Sequence, residues 1–166
     1  MAAEIERVFL LSGLPPAMPA GEVWQIDQGY LPPAGGDPAH LEGRLRRIVH
    51  ADGRVECVHT LKRGLGLVRD EVERAMGISE FDREWPRTAG RRLRKVRTRI
   101  TEGDRVWEID RFVDLPVVLA ECELPSADAE LPVPAWLAPH VVREVTEDPA
   151  YRNSALAIRA GLLPGR

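Results

Sequence analysis

The sequence has little of what builds disulfide-rich, zinc-binding or membrane proteins. Its 166 residues include two cysteines, Cys57 and Cys122, whose separation fits neither a metal site nor a redox pair. No apolar run is long enough to span a bilayer. Aromatic residues make up 5%, and 23 basic against 26 acidic residues leave a formal charge of −3. We therefore expect no disulfide scaffold and no nucleic-acid or membrane partner.

The overall composition is typical of a folded domain. The length lies in the usual range for one domain, and 44% apolar with 30% charged residues excludes a disordered chain. The first residues, Met1 to Arg7, carry charges where a secretory signal would be apolar. We expect one domain over residues 1–166, located in the cytoplasm.

Prolines and glycines divide the chain into short segments typical of an all-β protein. Asp52-Gly53 and Gly103-Asp104, each between β-type runs, predict hairpin turns. Helical patterns are scarce. The predicted strands cover residues 3–11, 22–31, 42–50, 54–62, 67–76, 91–101, 105–113 and 117–124, and the predicted helices begin at Ser79 and run from about Asn153 to Leu162. The expected fold class is mainly β (α+β), with short flanking helices.

Charged residues recur at every second position in six of these strands. Because strand side chains alternate between two faces, such residues share a face. One pair would indicate a solvated outer face, but here nearly all polar positions on that face are ionised and whole strands carry one sign. We therefore expect the charged face to line the inside of a closed barrel. Eight strands enclose enough space for one small ligand.

The predicted lining contains many cations and many carboxylates. The cations are Arg44, Arg46, Lys62, Arg69, Lys95, Arg97 and Arg99, and the carboxylates are Glu4, Glu6, Glu71, Glu73, Glu108, Asp110, Glu121 and Glu123. Buried ions cost several kcal/mol unless they are paired or hydrated. Arginine matches the geometry of phosphate, and clustered carboxylates hold Mg²⁺ or Mn²⁺, which also bind phosphate oxygens. The lining therefore predicts a polyphosphate ligand together with a divalent metal.

A series of short motifs along almost the whole chain carries a family resemblance. They are Glu4-Ile5-Glu6-Arg7, Gln28-Gly29-Tyr30-Leu31, Arg44-x-Arg46, Thr60-x-Lys62, Arg69-x-Glu71-x-Glu73, Gly90-Arg91-Arg92-Leu93 with Lys95-x-Arg97, Trp107-Glu108-Ile109-Asp110, Leu119 to Leu124, and the tail from Glu144 to Asn153. In this order the motifs resemble those of the CYTH superfamily, the triphosphate tunnel metalloenzymes. The tail resembles that of the bacterial members.

The resemblance implies an eight-stranded antiparallel closed β-barrel, a tunnel that binds a triphosphate and Mg²⁺ or Mn²⁺. It implies that metal is held by Glu4, Glu6, Glu71, Glu73, Asp110, Glu121 and Glu123, and the phosphates by Arg44, Arg46, Lys62, Arg69, Lys95 and Arg97. The residues expected to act in the reaction are Glu4, Glu6, Lys62, Lys95 and Arg97. Inorganic tripolyphosphate is the expected substrate, and hydrolysis the expected reaction.

Two positions depart from the family pattern. Val8, which shares a strand face with Glu4 and Glu6, stands where the family opening Glu-x-Glu-x-Lys has lysine, and Thr98 stands where bacterial relatives commonly carry tyrosine. Loss of a charged hydrogen bond to substrate costs roughly 1.5–3 kcal/mol, about tenfold to a hundredfold in affinity or rate. The departure at Val8 leaves open a weakened or retuned enzyme or a binding module without turnover. The resemblance also leaves open a nucleoside or thiamine triphosphatase or an adenylyl cyclase relative, since the family contains these activities.

A nucleic-acid surface is a third reading of the basic residues between Arg91 and Arg99. It is disfavoured because these residues alternate between the two faces of one strand and no aromatic residue lies among them.

Overall fold

The computed structural model describes residues 2–33, 41–64 and 67–164. The strands are β1 (Ala2–Leu11), β2 (Glu22–Tyr30), β3 (Leu41–His50), β4 (Val55–Arg63), β5 (Val68–Met76), β6 (Arg92–Glu102), β7 (Arg105–Phe112), β8 (Val118–Glu123) and β9 (Val141–Glu144). The α-helices are α1 (Ile78–Glu84) and α2 (Asn153–Gly161), and 3₁₀ turns cover Trp85–Thr88, Ala138–His140 and Pro149–Tyr151. Within these ranges, no helix has both the length and the apolar character to cross a membrane.

Eight of the strands close into an antiparallel barrel. They follow the order β5-β4-β3-β2-β6-β7-β8-β1, and the first four pairs of β1, from Ala2 to Ile5, join β5 and complete the ring. The later part of β1 pairs with β8 on one side and with β9 on the other. Closure removes the unpaired edges that an open sheet would leave. The closed eight-stranded barrel expected from the sequence is confirmed.

The sequence pattern also located the elements well. Each of the eight predicted strands, and the second predicted helix, begins and ends within one residue of the observed bounds, and the first helix begins one residue before the predicted Ser79. The two predicted hairpin turns are present, and their glycines adopt left-handed conformations, with φ of 86° at Gly53 and 60° at Gly103. The strand β9 was not predicted. It has four residues, of which three are exposed, so it lacks an apolar face that alternation could reveal.

Most of the apolar residues pack on the outside of the barrel, since the charged residues occupy the inside. Phe9, Trp107 and Ile109 form a cluster that also contains Leu131 and Leu137 from the segment between β8 and β9. A smaller cluster joins β3, β4 and β5 to Phe81 of α1. These two clusters bury apolar side chains outside the charged cavity.

Helix α2 forms a third cluster with residues of the barrel interior. Its buried Leu156, Ala157 and Ala160 pack in a cluster with Tyr30, Leu93, Phe112 and Leu119. Tyr30 lines the barrel cavity, and so do residues at the N-terminus of α2. The helix therefore belongs to the apolar core and to the wall of the cavity at once.

We expect Leu156→Ala to destabilise the fold by about 2–5 kcal/mol, because it leaves a cavity in a core where Leu156 is fully buried. Ile158→Ala on the same helix is the control, since Ile158 is 51% exposed and such changes stay within about 0.5 kcal/mol. Urea unfolding followed by tryptophan fluorescence measures both. Equal losses in the two variants would contradict the assignment of Leu156 to the core.

Candidate functional site

The barrel encloses a cavity of about 220 Å³ with a strongly charged wall. Its lining cations are Arg44, Arg46, Lys62, Arg69, Lys95, Arg97 and Arg152, and its lining carboxylates are Glu4, Glu6, Glu71, Glu108, Glu121 and Asp148. The other lining residues are Val8, Trp24, Tyr30, Val145, Thr146, Tyr151 and Asn153. The alternation of strand side chains therefore does direct the charged residues inward, as the sequence analysis expected.

The structure brings ten of the thirteen predicted site residues to this wall, and three lie elsewhere. Asp110 is completely buried behind the wall. The side chain of Glu73 is 43% exposed and pairs with Arg46. Glu123 is exposed and lies opposite Glu6 in the β1–β8 register.

Asp110 holds two of the predicted phosphate-binding cations in place. Its Oδ1 accepts a hydrogen bond from Arg97 Nε at 2.7 Å, and its Oδ2 accepts from Lys95 Nζ and Arg97 Nη2, each at 2.8 Å. Burial alone would raise the pKa of Asp110, but the charges of Arg97 and Lys95 outweigh it and hold the pKa well below its usual value. Both carboxylate oxygens are thus committed to cations, so Asp110 acts here as a buried counter-ion.

Arg97 is the most heavily paired cation of the wall. Beyond Asp110, its guanidinium donates to Glu108 Oε2 at 2.8 Å and to Glu121 Oε2 at 3.1 Å. Although burial opposes the charge, these carboxylates raise the pKa of Arg97 well above its usual value. Arg97 therefore stays charged and fixed in orientation.

Lys62 joins the two strands that close the barrel. Its Nζ lies 2.6 Å from Glu4 Oε2 on β1 and 3.1 Å from Glu71 Oε2 on β5. Burial alone would raise the pKa of Glu71, but Lys62 outweighs it and lowers that pKa. Two of the predicted metal ligands are thus paired with an ammonium group.

Glu6 and Glu121 form a different environment, in which negative charges crowd together. Burial and the charge of Glu121 raise the pKa of Glu6 to about 8. Burial and the charge of Asp110 likewise raise the pKa of Glu121. Partial burial, with the charges of Glu4 and Glu71, raises the pKa of Glu123.

The carboxylates of the wall fit a divalent metal in their chemistry. Carboxylate oxygens are the donors that Mg²⁺ and Mn²⁺ prefer. A dication near Glu6 and Glu121 would favour their ionised forms, which burial and neighbouring negative charge disfavour. Within the described residues, however, no three His, Cys, Asp or Glu side chains are already arranged to hold an ion. The carboxylates are thus suitable ligands for the metal, but Glu4 and Glu71 pair with Lys62, and Glu121 pairs with Arg97.

Arg44 and Arg46 face the same cavity, and fewer carboxylates lie near them to balance their positive charge. Arg46 Nη2 donates to Glu73 at 2.9 Å, and Arg44 Nη2 donates to Thr60 Oγ1 at 3.2 Å. Burial, together with the charges of Arg44 and Arg97, lowers the pKa of Arg46 to about 10. The buried Nε atoms of Arg44 and Arg46 have no hydrogen-bond partner among the described residues. This side of the cavity is therefore suited to an anion.

The tail contributes to the wall, and the sequence analysis assigned it no site residue. Asn153 Oδ1 accepts hydrogen bonds from Lys95 Nζ at 2.7 Å and from Gln28 Nε2 at 3.2 Å. The only signal in the sequence was the resemblance of the tail to bacterial family members. Val8 lines the cavity, which confirms that it shares a face with Glu4 and Glu6, whereas Thr98 is not part of the described lining.

Comparison with known proteins gives two similar curated proteins, each described as an inorganic triphosphatase. One, from Nitrosomonas europaea, is 36% identical over 93% of this chain and 97% of its own length. The other, from Acetivibrio thermocellus, is 38% identical over 94% of each chain. A crystal structure described as an inorganic triphosphatase superposes with a TM-score of 0.59 at 36% identity, covering 95% of this chain and 96% of that one. No sequence profile of a known protein family matches the chain.

We expect Asp110→Asn to cost about 3–5 kcal/mol of stability at pH 7, because Lys95 and Arg97 would lose their buried counter-ion. Asp104→Asn is the control, since Asp104 is 85% exposed in its ion pair with Arg105. The native pKa of Asp110 lies below its unfolded value, so its contribution is complete above about pH 4 and is lost as the pH falls further. Urea unfolding of wild type and both variants between pH 3 and 7 measures this. A cost that stays constant over that range would contradict it.

Proposed function

We propose that this chain, which belongs to the CYTH superfamily of triphosphate tunnel metalloenzymes, hydrolyses a phosphoanhydride bond of a triphosphate held inside its barrel. Inorganic tripolyphosphate is the substrate we favour. Two relatives that align over more than nine-tenths of their length are described as inorganic triphosphatases. An identity of 36–38% over the whole barrel supports the same reaction class here.

The observation that carries the proposal is the buried arginine group of Arg44, Arg46 and Arg97. Burial and like charge lower the pKa of Arg46, which means that its charge opposes folding. A charge that costs stability is retained when it is needed to bind a ligand. Arginine matches the geometry of phosphate groups, so a triphosphate is the anion that this group fits. The enclosed cavity and the inward-facing strands provide the space for it.

In this mechanism the cations bind and orient the phosphate chain. Arg44, Arg46 and Arg69 contact it from β3 and β5, while Lys62, Lys95 and Arg97 contact it from β4 and β6. Charge that develops on the leaving phosphate is offset by these fixed donors. Asp110 keeps Lys95 and Arg97 in position throughout, because its hydrogen bonds lie behind the wall.

The metal-binding part of the proposal rests on the carboxylates. Mg²⁺ or Mn²⁺ would be held by Glu4, Glu6, Glu121 and Glu123, with Glu71 and Glu73 nearby. When bound, such an ion neutralises phosphate charge and lowers the pKa of water. The raised pKa values of Glu6 and Glu121 support this assignment, since a dication would favour their ionised forms.

The direct test is phosphate release from tripolyphosphate, ATP and thiamine triphosphate with Mg²⁺ or Mn²⁺, and with EDTA as the metal-free control. We expect the highest kcat/KM for tripolyphosphate and no release in EDTA. Arg46→Met is expected to raise KM by about 10- to 100-fold through the loss of a charged hydrogen bond. It should not lower the melting temperature, because the charge of Arg46 opposes folding. Absence of metal-dependent phosphate release would remove the enzymatic proposal.

Arg47→Met is the matched control for that variant. Arg47 is the next residue of β3, faces outward and pairs with Asp27 at 2.7 Å. Its loss should leave KM near the wild-type value. Equal effects of the two substitutions would mean that the inward position of Arg46 is irrelevant to substrate.

Binding without turnover is the second candidate function, and Val8 is the observation that favours it. The family lysine would add a cation to this wall, whereas Val8 places an apolar side chain there. A binding module would still be stabilised by tripolyphosphate, by about 2.7 kcal/mol at a hundred times Kd, with no phosphate released.

The substitution Val8→Lys separates a weakened enzyme from a binding module. In a weakened enzyme we expect kcat/KM to rise about tenfold, because the new ammonium group donates a charged hydrogen bond to substrate. Malachite-green detection of phosphate gives the rates, and Val8→Met controls for side-chain length without charge. If neither wild type nor Val8→Lys releases phosphate while both bind tripolyphosphate, the binding module is correct.

A further inference from the structure

Arg152 differs from the cations of the cavity wall that form ion pairs. Lys62, Lys95 and Arg97 each lie within 3.1 Å of at least one carboxylate oxygen, and Arg46 lies 2.9 Å from Glu73. Arg152 lines the same cavity, yet within the described ranges no carboxylate lies at ion-pairing distance from it. It therefore brings an uncompensated positive charge to the wall.

The local structure around Arg152 supplies no internal partner. The acidic residue nearest to it in the sequence, Asp148, receives hydrogen bonds from Arg143 at 2.8 Å and from the backbone of Ala150 at 3.1 Å. Arg152 is also the N-cap residue of α2, and its side chain caps no backbone group. The N-terminal end of a helix carries partial positive charge, so a cation at this position is unfavourable unless an anion binds nearby.

The tail that carries Arg152 adjoins Val8, the lining residue of β1 that has no charge. The backbone N–H of Val8 donates to Thr146 Oγ1 at 3.0 Å, and the N–H of Val145 donates to the carbonyl of Val8 at 2.8 Å. The tail therefore continues the cavity wall beside Val8. Tyr151 and Val8 pack against the same apolar cluster.

The other neighbour of Arg152 in the chain connects it to a predicted phosphate-binding residue. Asn153 accepts a hydrogen bond from Lys95 Nζ at 2.7 Å. Arg152 thus stands in the chain between Tyr151, which packs against the same apolar cluster as Val8, and Asn153, which accepts a hydrogen bond from Lys95. A phosphate group bound by Lys95 would lie on the side of the cavity that the tail covers.

We propose that Arg152 binds an outer phosphate of the substrate and supplies, from the tail, positive charge that Val8 leaves out of the β1 wall. This inference rests on the proposed function, since it assumes that a triphosphate occupies the cavity. Arg152 then acts as a substrate-binding residue that also ties the tail to the occupied site. The bound phosphate, in turn, neutralises the cation at the N-terminus of α2.

The test compares Arg152→Gln with Arg159→Gln, which removes an exposed arginine of the same helix. Titration calorimetry with tripolyphosphate in EDTA gives Kd, and phosphate release with Mg²⁺ gives KM. We expect Arg152→Gln to raise Kd and KM at least tenfold with an unchanged melting temperature, and Arg159→Gln to change them less than twofold. Arg152→Lys, which keeps the charge, should stay within a few-fold of wild type.

A second variant places the charge on the neighbouring wall. Adding Val8→Lys to Arg152→Gln should recover most of the lost affinity, and its gain should exceed the gain in the wild-type background. Such non-additivity is expected when two side chains serve one phosphate. Equal gains in both backgrounds would assign the two cations to separate phosphates and overturn the compensation.

The outcomes separate this inference from the proposed function. Tripolyphosphate binding without phosphate release would end the proposed hydrolysis, while the Kd ratio would still decide the role of Arg152. Phosphate release with equal Kd values for wild type, Arg152→Gln and Arg159→Gln would overturn the role of Arg152 alone. Absence of tripolyphosphate binding to the wild type both in EDTA and with Mg²⁺ would overturn both.

Discussion

The ion pairs between Asp110, Lys95 and Arg97 lie at full or nearly full burial, and the arrangement of the barrel interior depends on them. A charge in that position is tolerated only with a fixed partner, since an isolated buried ion costs several kcal/mol. Asp110 supplies that partner to two cations at once. Because both of its oxygens accept hydrogen bonds from these two side chains, Asp110 fixes where Lys95 and Arg97 stand in the cavity wall.

The same constraint explains the distribution of apolar residues. The ionised part of the barrel interior contributes no hydrophobic stabilisation. Two of the three apolar clusters therefore lie on the outer face, where α1 and the segment between β8 and β9 cover them. Helix α2 packs on Tyr30, Phe112 and Leu119 and presents its first residues to the cavity. The packing of α2 against the barrel therefore also places the tail residues that line the cavity.

The two halves of the cavity wall differ in how their charges are compensated. At Glu6 and Glu121, burial and the negative charge of neighbouring carboxylates raise the pKa values. Near Arg44 and Arg46, cations exceed carboxylates, and the pKa of Arg46 falls. The proposed ligand, a triphosphate with a divalent ion, carries both kinds of charge. It would compensate both halves at the same time, which no single protein side chain can do.

Local sequence determined the strands, their turns and the inward direction of their charges, because alternation along a strand has a period of two and needs no distant partner. It also placed Val8 correctly beside Glu4 and Glu6 on the cavity face. Only tertiary structure decided which carboxylate pairs with which cation. Lys62 meets Glu4 across 58 positions of sequence, and that contact exists because β1 closes on β5. Only tertiary structure brought the tail to Val8 and Lys95. These contacts span 138 positions from Val8 to Thr146 and 58 from Lys95 to Asn153, so they depend on barrel closure and on the packing of α2, which no local pattern encodes.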